Sequence, residues 1–168
     1  MKKINIEAFD KNQKQGQYGF TLSDSTIVWQ SQFENGYVER VTDSETNNFY
    51  SYREYYKSGL LREIGSRFKK GEFQKGVWQY YDEHGKLIKE VNYDSAYKFS
   101  WDDIILLLKK EEISWNQLVT IGRDSTIQNG ARWYVLWEKQ PGGGEMITIN
   151  GTTGEIISKK YQNLRKEI

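Results

Sequence analysis

The amino-acid sequence predicts an α+β fold made mostly of antiparallel β-sheet. Three observations carry this expectation. Apolar and aromatic residues alternate with polar ones in short runs along most of the chain, the period of a half-buried strand. Turn-forming residues such as Ser23-Asp24-Ser25 and Asn35-Gly36 separate those runs. A helical apolar face stands out in one segment only, at about 100–110.

Taken in order, the first forty residues read as strands. Gln17 to Leu22 places Tyr18, Phe20 and Leu22 on one face, and Thr26 to Phe33 follows with Ile27, Trp29 and Phe33. The Ser23–Ser25 turn makes these a hairpin, and Asn35-Gly36 is a two-residue turn leading into Tyr37–Val41. Asp43 to Asn48 is polar and reads as a loop tip. In the middle, Tyr55-Tyr56-Lys57-Ser58-Gly59-Leu60-Leu61 reappears in altered form as Tyr80-Tyr81-Asp82-Glu83-His84-Gly85-Lys86-Leu87. The two tyrosine pairs lie 25 positions apart, a spacing typical of repeat architectures. Each pair ends a strand. Gly59 and Gly85 are expected at positive φ in the turn, where a side chain would clash. Leu61 and Leu87 are expected to point back into the core, and Phe68 and Tyr93 close the two units. Such hairpins in series form a meander with one buried aromatic face.

The one main helix follows. Ser100 precedes Trp101 and stands three residues before Asp103, the spacing of a capping box. Asp102 and Asp103 suit the positive end of the helix, and Lys109 and Lys110 the negative end. Ile113–Leu118 is read as a short second helix or an extended connection. Arg132 to Lys139 returns to strand, with Trp133, Val135 and Trp137 on one face and Tyr134 and Leu136 on the other. Pro141-Gly142-Gly143-Gly144 reads as a turn or flexible loop, Met146–Ile149 as a short strand, and Gly151-Thr152-Thr153-Gly154 as a turn before Glu155–Tyr161. The charged tail after Gln162 is expected to fray. Two regions result, a β-rich 1–98 and a helix-plus-strands 99–168, as separate domains or one continuous sheet.

Composition bounds the function. Aromatics reach 15%, with six Trp, twelve Tyr and seven Phe, so a packed core is attainable although hydrophobic residues are only 37%. The net charge of +1 offers no basic excess for nucleic acid. Cysteine is absent, which removes disulfides and thiolate chemistry and is compatible with the cytoplasm. The start, Met1-Lys2-Lys3-Ile4-Asn5-Ile6-Glu7, lacks the apolar stretch of a secretory signal. The longest apolar run, Ile104–Leu108, is far too short to span a membrane. The expected location is the cytoplasm, or the periplasm if a signal peptide has been removed.

The central block, with Tyr55-Tyr56…Gly59…Leu61 and then Gly76-Val77-Trp78-Gln79-Tyr80-Tyr81…Gly85-Lys86-Leu87, resembles MORN-repeat-like bacterial antitoxin and immunity proteins over about residues 50–93. It departs from longer MORN arrays in having about two units. The C-terminal string Ile147-Thr148-Ile149-Asn150-Gly151-Thr152-Thr153-Gly154-Glu155-Ile156 resembles the terminal hairpin of a PepSY-like unit. These resemblances imply a protein that blocks a toxin by binding it.

Catalytic groups are scarce. The single histidine, His84, falls in a predicted turn and reads as solvated. Asp102 and Asp103 are accounted for by capping, Glu111 and Glu112 by a solvated face. Gly142-Gly143-Gly144 lacks the Lys-Ser/Thr of a phosphate loop. Asn150-Gly151-Thr152 matches a glycosylation acceptor but coincides with a turn. No enzyme activity, cofactor or metal is therefore expected. The aromatic surplus points to binding, with Tyr55, Tyr56, Trp78, Tyr80 and Tyr81 as candidate protein-binding residues. Adjacent tyrosines must face opposite sides of a sheet, so one of each pair is free for contact unless a helix covers it. The expected function is that of a non-enzymatic immunity or antitoxin protein neutralising a cognate bacterial toxin. The alternative is a cell-envelope module for glycan or peptide ligands.

Overall fold

A computed structural model describes residues 3–43, 47–126 and 128–164 of the chain. The middle of the expected loop at Asp43–Asn48 and the end of the charged tail lie outside the described residues. The chain divides into two compact units, Met1–Lys69 with Gln74–Tyr93, and Lys70–Phe73 with Asp94–Ile168.

The first unit holds helix α1 (Ile6–Asn12) and strands β1 (Gln17–Thr21), β2 (Ile27–Phe33), β3 (Gly36–Thr42), β4 (Phe49–Tyr56), β5 (Leu61–Phe68), β6 (Gln74–Tyr81) and β7 (Leu87–Asn92). The seven strands form one antiparallel meander in chain order. Helix α1 is a correction, since the first forty residues read as strands and only one main helix was expected. Asn5 Oδ1 caps it, accepting the Ala8 N–H at 3.0 Å. A seven-residue helix is not stable alone, so docking must hold it. Phe9 is wholly buried, edge-on to Tyr37 at 5.3 Å, and Ile4, Tyr55 and Leu61 complete that cluster.

The turns behave as their glycines demand, with Gly59 and Gly85 both at φ +80. The Asn35-Gly36 turn is shifted by one residue. Phe33 pairs with Gly36, so Glu34 and Asn35 make the turn and Gly36 begins β3. Gly36 is needed for a different reason, because a Cβ there would run into the Tyr55 carbonyl. Leu61 is buried as expected, but Leu87 is exposed. β7 ends the sheet, and among the described residues no further strand pairs with its outer edge.

Between β5 and β6 the register breaks. Ile64 pairs with Gln79 and Ser66 with Lys75, so Gly65 alone faces Gly76, Val77 and Trp78. The bulge lays the Trp78 indole on Gly65, where any Cβ would overlap the ring. Trp78, Tyr50 and Tyr52 form the core of the opposite face, with Val38, Tyr80 and Tyr93 around them.

The second unit carries α2 (Trp101–Lys110) and β8 (Leu118–Thr126), β9 (Gly130–Gln140), β10 (Gly143–Asn150) and β11 (Ile156–Asn163) in an antiparallel sheet ordered β11-β10-β9-β8. The capping box forms as read. Ser100 N–H donates to Asp103 Oδ2 at 2.7 Å, and Asp103 N–H donates to Ser100 Oγ at 3.3 Å. Over Ile113–Leu118 no helix forms: a turn at Trp115–Gln117 leads into β8, and the Leu118 N–H reaches the Ser114 carbonyl at 3.2 Å. Trp133, Val135 and Trp137 are buried with Ile147 and Ile149 of β10. Strand β8 has no counterpart in the sequence reading. A register shift between Leu118 and Thr120 lets Leu118 and Ile121, three apart, both be buried, which breaks the alternation that marks a strand. Gly143 and Gly144 are not loop. They are buried in β10, where a Cβ would strike the Tyr161 hydroxyl or the Trp137 carbonyl.

Lys70–Phe73 is built into this unit. The Lys70 ammonium donates to the carbonyls of Trp115 and Leu118 at 2.8 and 2.9 Å, and Phe73 lies edge-on to Trp133. Arg123, almost wholly buried, sits 4.6–5.2 Å from the ring centres of Tyr97, Phe73 and Trp133, and pairs with Asp94 at 2.8 Å. No helix among the described residues is long and apolar enough to cross a membrane.

Candidate protein-binding surface

The five aromatic candidates do not share one surface. Tyr55 is 2% exposed and belongs to the core under α1. Trp78 is 0% exposed, its Nε1–H donating to the Ser66 carbonyl at 3.3 Å. Neither can meet a partner without unfolding its surroundings. Tyr56, Tyr80 and Tyr81 are half-buried and committed to internal bonds. The Tyr56 hydroxyl donates to the Tyr81 carbonyl at 2.7 Å, the Tyr81 hydroxyl to Gln79 Oε1 at 2.9 Å, and the Tyr80 and Tyr93 hydroxyls meet at 2.8 Å. Burial, the bond to Tyr93 and the Glu63 charge push the Tyr80 hydroxyl well above the usual tyrosine range. The alternation of the strand is as expected. Tyr55 and Tyr81 lie with the α1 cluster and Tyr80 with the Trp78 cluster.

The informative departure lies in β2. Its burial pattern puts Val28 and Gln30 inside and leaves Ile27, Trp29 and Phe33 at 37%, 44% and 37% exposure. Apolar strand residues ordinarily seek the core, so this strand is inverted. A buried polar network holds it that way. Glu39 accepts from Gln30 Nε2 at 2.7 Å, from Arg53 Nη1 at 2.7 Å and from the Tyr55 hydroxyl at 3.1 Å. Gln30 of β2 and Arg53 of β4 stand directly opposite Glu39 on β3, and Tyr55 lies two residues along the same face of β4. Burial is the largest single influence and lowers the Arg53 pKa, but the hydrogen bond and charge of Glu39, with Tyr55 adding to them, together hold it above the ordinary value. A buried carboxylate so satisfied cannot be traded for solvent, so Gln30 must stay inside and Trp29 outside.

On the outer side, Trp29 leans across β1 onto Gly19. Its ring atoms come within 2.8 Å of where a Cβ would stand, so the glycine makes the space. Directly opposite Trp29 on β3 is Arg40, exposed, its guanidinium 5.2 Å above the Tyr50 ring. Leu22, 46% exposed, follows the end of β1. The sequence named Trp29 and its strand but held no local signal for which face turns outward.

A separate groove of about 520 Å³ runs beside the β5–β6 bulge, lined by Ser51, Ser66, Lys75, Val77, Phe49 and Asn47 among others. Ser51, Ser66 and Lys75 are successive cross-strand neighbours along its floor.

The acidic and histidine candidates stay in local roles. His84 is exposed in the β6–β7 turn, its N–H donating to Asp82 Oδ1 at 3.0 Å. Asp103 caps α2, and those bonds hold its carboxyl below the usual range. Among the described residues no three His, Asp or Glu side chains gather as a metal site would require. No protein-family model, curated protein or solved structure matches this chain.

Proposed function

We propose that this chain is a non-enzymatic binding protein of the immunity or antitoxin kind, acting in the cytoplasm by covering a cognate bacterial toxin. The observation that carries the reading is the outward row Ile27, Trp29 and Phe33 on a sheet whose other face is packed by α1. Large apolar side chains held out on a rigid sheet are the usual anchors of protein interfaces, tryptophan above all. The MORN-like hairpins and PepSY-like end point the same way by resemblance. The test is co-expression with the product of the neighbouring reading frame. Protection of the host, with co-purification of the two proteins, is expected, and both should fail for the Trp29→Ala, Phe33→Ala double variant. A native chain that neither binds nor protects against the neighbouring product removes the reading.

The second reading, a cell-envelope module for glycan or peptide ligands, draws on the groove by Ser51, Ser66 and Lys75, whose volume lies in the range of small-ligand sites. Titration with peptidoglycan fragments, read by amide shifts at these three residues, decides it. Unmoved signals rule it out.

A further inference from the structure

We infer that the partner segment seated on the Trp29 face carries a carboxylate side chain placed beside its apolar anchor, and that Arg40 receives it. This rests on the binding role proposed above and specifies the chemistry of the same surface. Opposite residues in an antiparallel pair share a face. Of the positions that β1, β2 and β3 place on the Trp29 face, Arg40 is the one charged residue. Arg53, Arg62 and Arg123 each hold a carboxylate at 2.7–2.8 Å, whereas Arg40 has none among the described residues and rests only on Tyr50.

Arg40 and Trp29 are direct cross-strand neighbours. The indole leans toward β1 and the guanidinium lies over Tyr50 of β4, so a partner segment laid across β2 and β3 covers both and removes water from the guanidinium. A guanidinium desolvated without an anion is strongly unfavourable. A partner offering only apolar groups would leave that charge stranded. A partner offering Asp or Glu meets the planar fork with paired N–H donors, in surroundings where apolar neighbours weaken screening. The apolar row and the lone cation thus select an acidic residue flanked by aliphatic or aromatic ones.

The test uses the full chain as bait for a phage-displayed random peptide library, with synthetic copies of the enriched peptides measured by calorimetry. Enriched peptides should share an Asp or Glu beside an apolar residue. Trp29→Ala and Arg40→Glu should each weaken them at least tenfold, with unchanged circular dichroism as the control for folding. Exchanging the peptide's acid for lysine should restore binding to Arg40→Glu and abolish it for the native chain. Enriched peptides without an acid, indifference to Arg40→Glu, or no peptide lost on Trp29→Ala would overturn the inference. So would binding to phosphatidylglycerol vesicles that Arg40→Glu abolishes, since the anion would then be a lipid phosphate. Failure of toxin protection alongside acidic, Arg40-dependent peptides would remove the toxin reading and leave this chemistry standing.

Discussion

Replacing Glu39 with alanine removes the acceptor shared by Gln30, Arg53 and Tyr55. Three donors then lose their partner on a face covered by packed side chains. Breaking a buried ion pair by deleting one member costs roughly 3–5 kcal/mol, and a stranded neutral donor roughly 1–3 kcal/mol. These contributions are not additive, and the Arg53 side chain, 26% exposed, regains some hydration. The expected loss is therefore about 3 kcal/mol, a large part of the roughly 5–15 kcal/mol that holds a domain together. Glu39→Gln keeps the shape and one acceptor but presents its own amide to donors, so its loss should be smaller, about 1–2 kcal/mol. Urea unfolding followed by far-UV circular dichroism measures both. With a slope of about 2 kcal/mol/M, the alanine variant should unfold about 1.5 M earlier. A shift below about 0.3 M, at unchanged slope, would refute the claim that this network dictates which side of β2 faces inward.

Gly65→Ala should destabilise the first unit by roughly 2 kcal/mol through overlap with the Trp78 indole, and in a Trp78→Ala background the same change should cost far less; a double-mutant cycle by urea unfolding reads the difference. Ser100→Ala should cost about 1 kcal/mol through loss of the α2 cap, seen as a lower melting temperature. Arg123→Met keeps the bulk among Phe73, Tyr97 and Trp133 but loses three cation–π contacts and the Asp94 pair, for about 2 kcal/mol by thermal unfolding. Burial, with Glu54 adding to it, pushes the Tyr52 hydroxyl up to about 12, and burial does the same for Tyr97. Above pH 10 the unfolded chain sheds these protons while the folded chain keeps them, so stability should be full below pH 10 and fall as pH rises towards 12; Tyr52→Phe should flatten that slope in urea midpoints measured across the range.

The sequence by itself determined the features set by near neighbours in the chain. Positive φ at Gly59 and Gly85 follows from two residue-poor turns, and the α2 cap from Ser100 and Asp103 three positions apart. The buried row Trp133, Val135 and Trp137 follows from strict alternation in β9. Where alternation is interrupted, as by the register shift at the start of β8, the signal is lost and the strand is unreadable. The short helix α1 exists because Phe9 finds a pocket among Tyr37, Tyr55 and Leu61, residues far along the chain. The candidate surface shows the division most clearly. Alternation assigns Ile27, Trp29 and Phe33 to one face and Val28 and Gln30 to the other, but it cannot say which face is inside. Tertiary structure decided that, by bringing Gln30, Glu39, Arg53 and Tyr55 together from three strands and satisfying a buried carboxylate. The free energy of that long-range network outweighs the local preference of Trp29 for the core, and so turns the tryptophan outward.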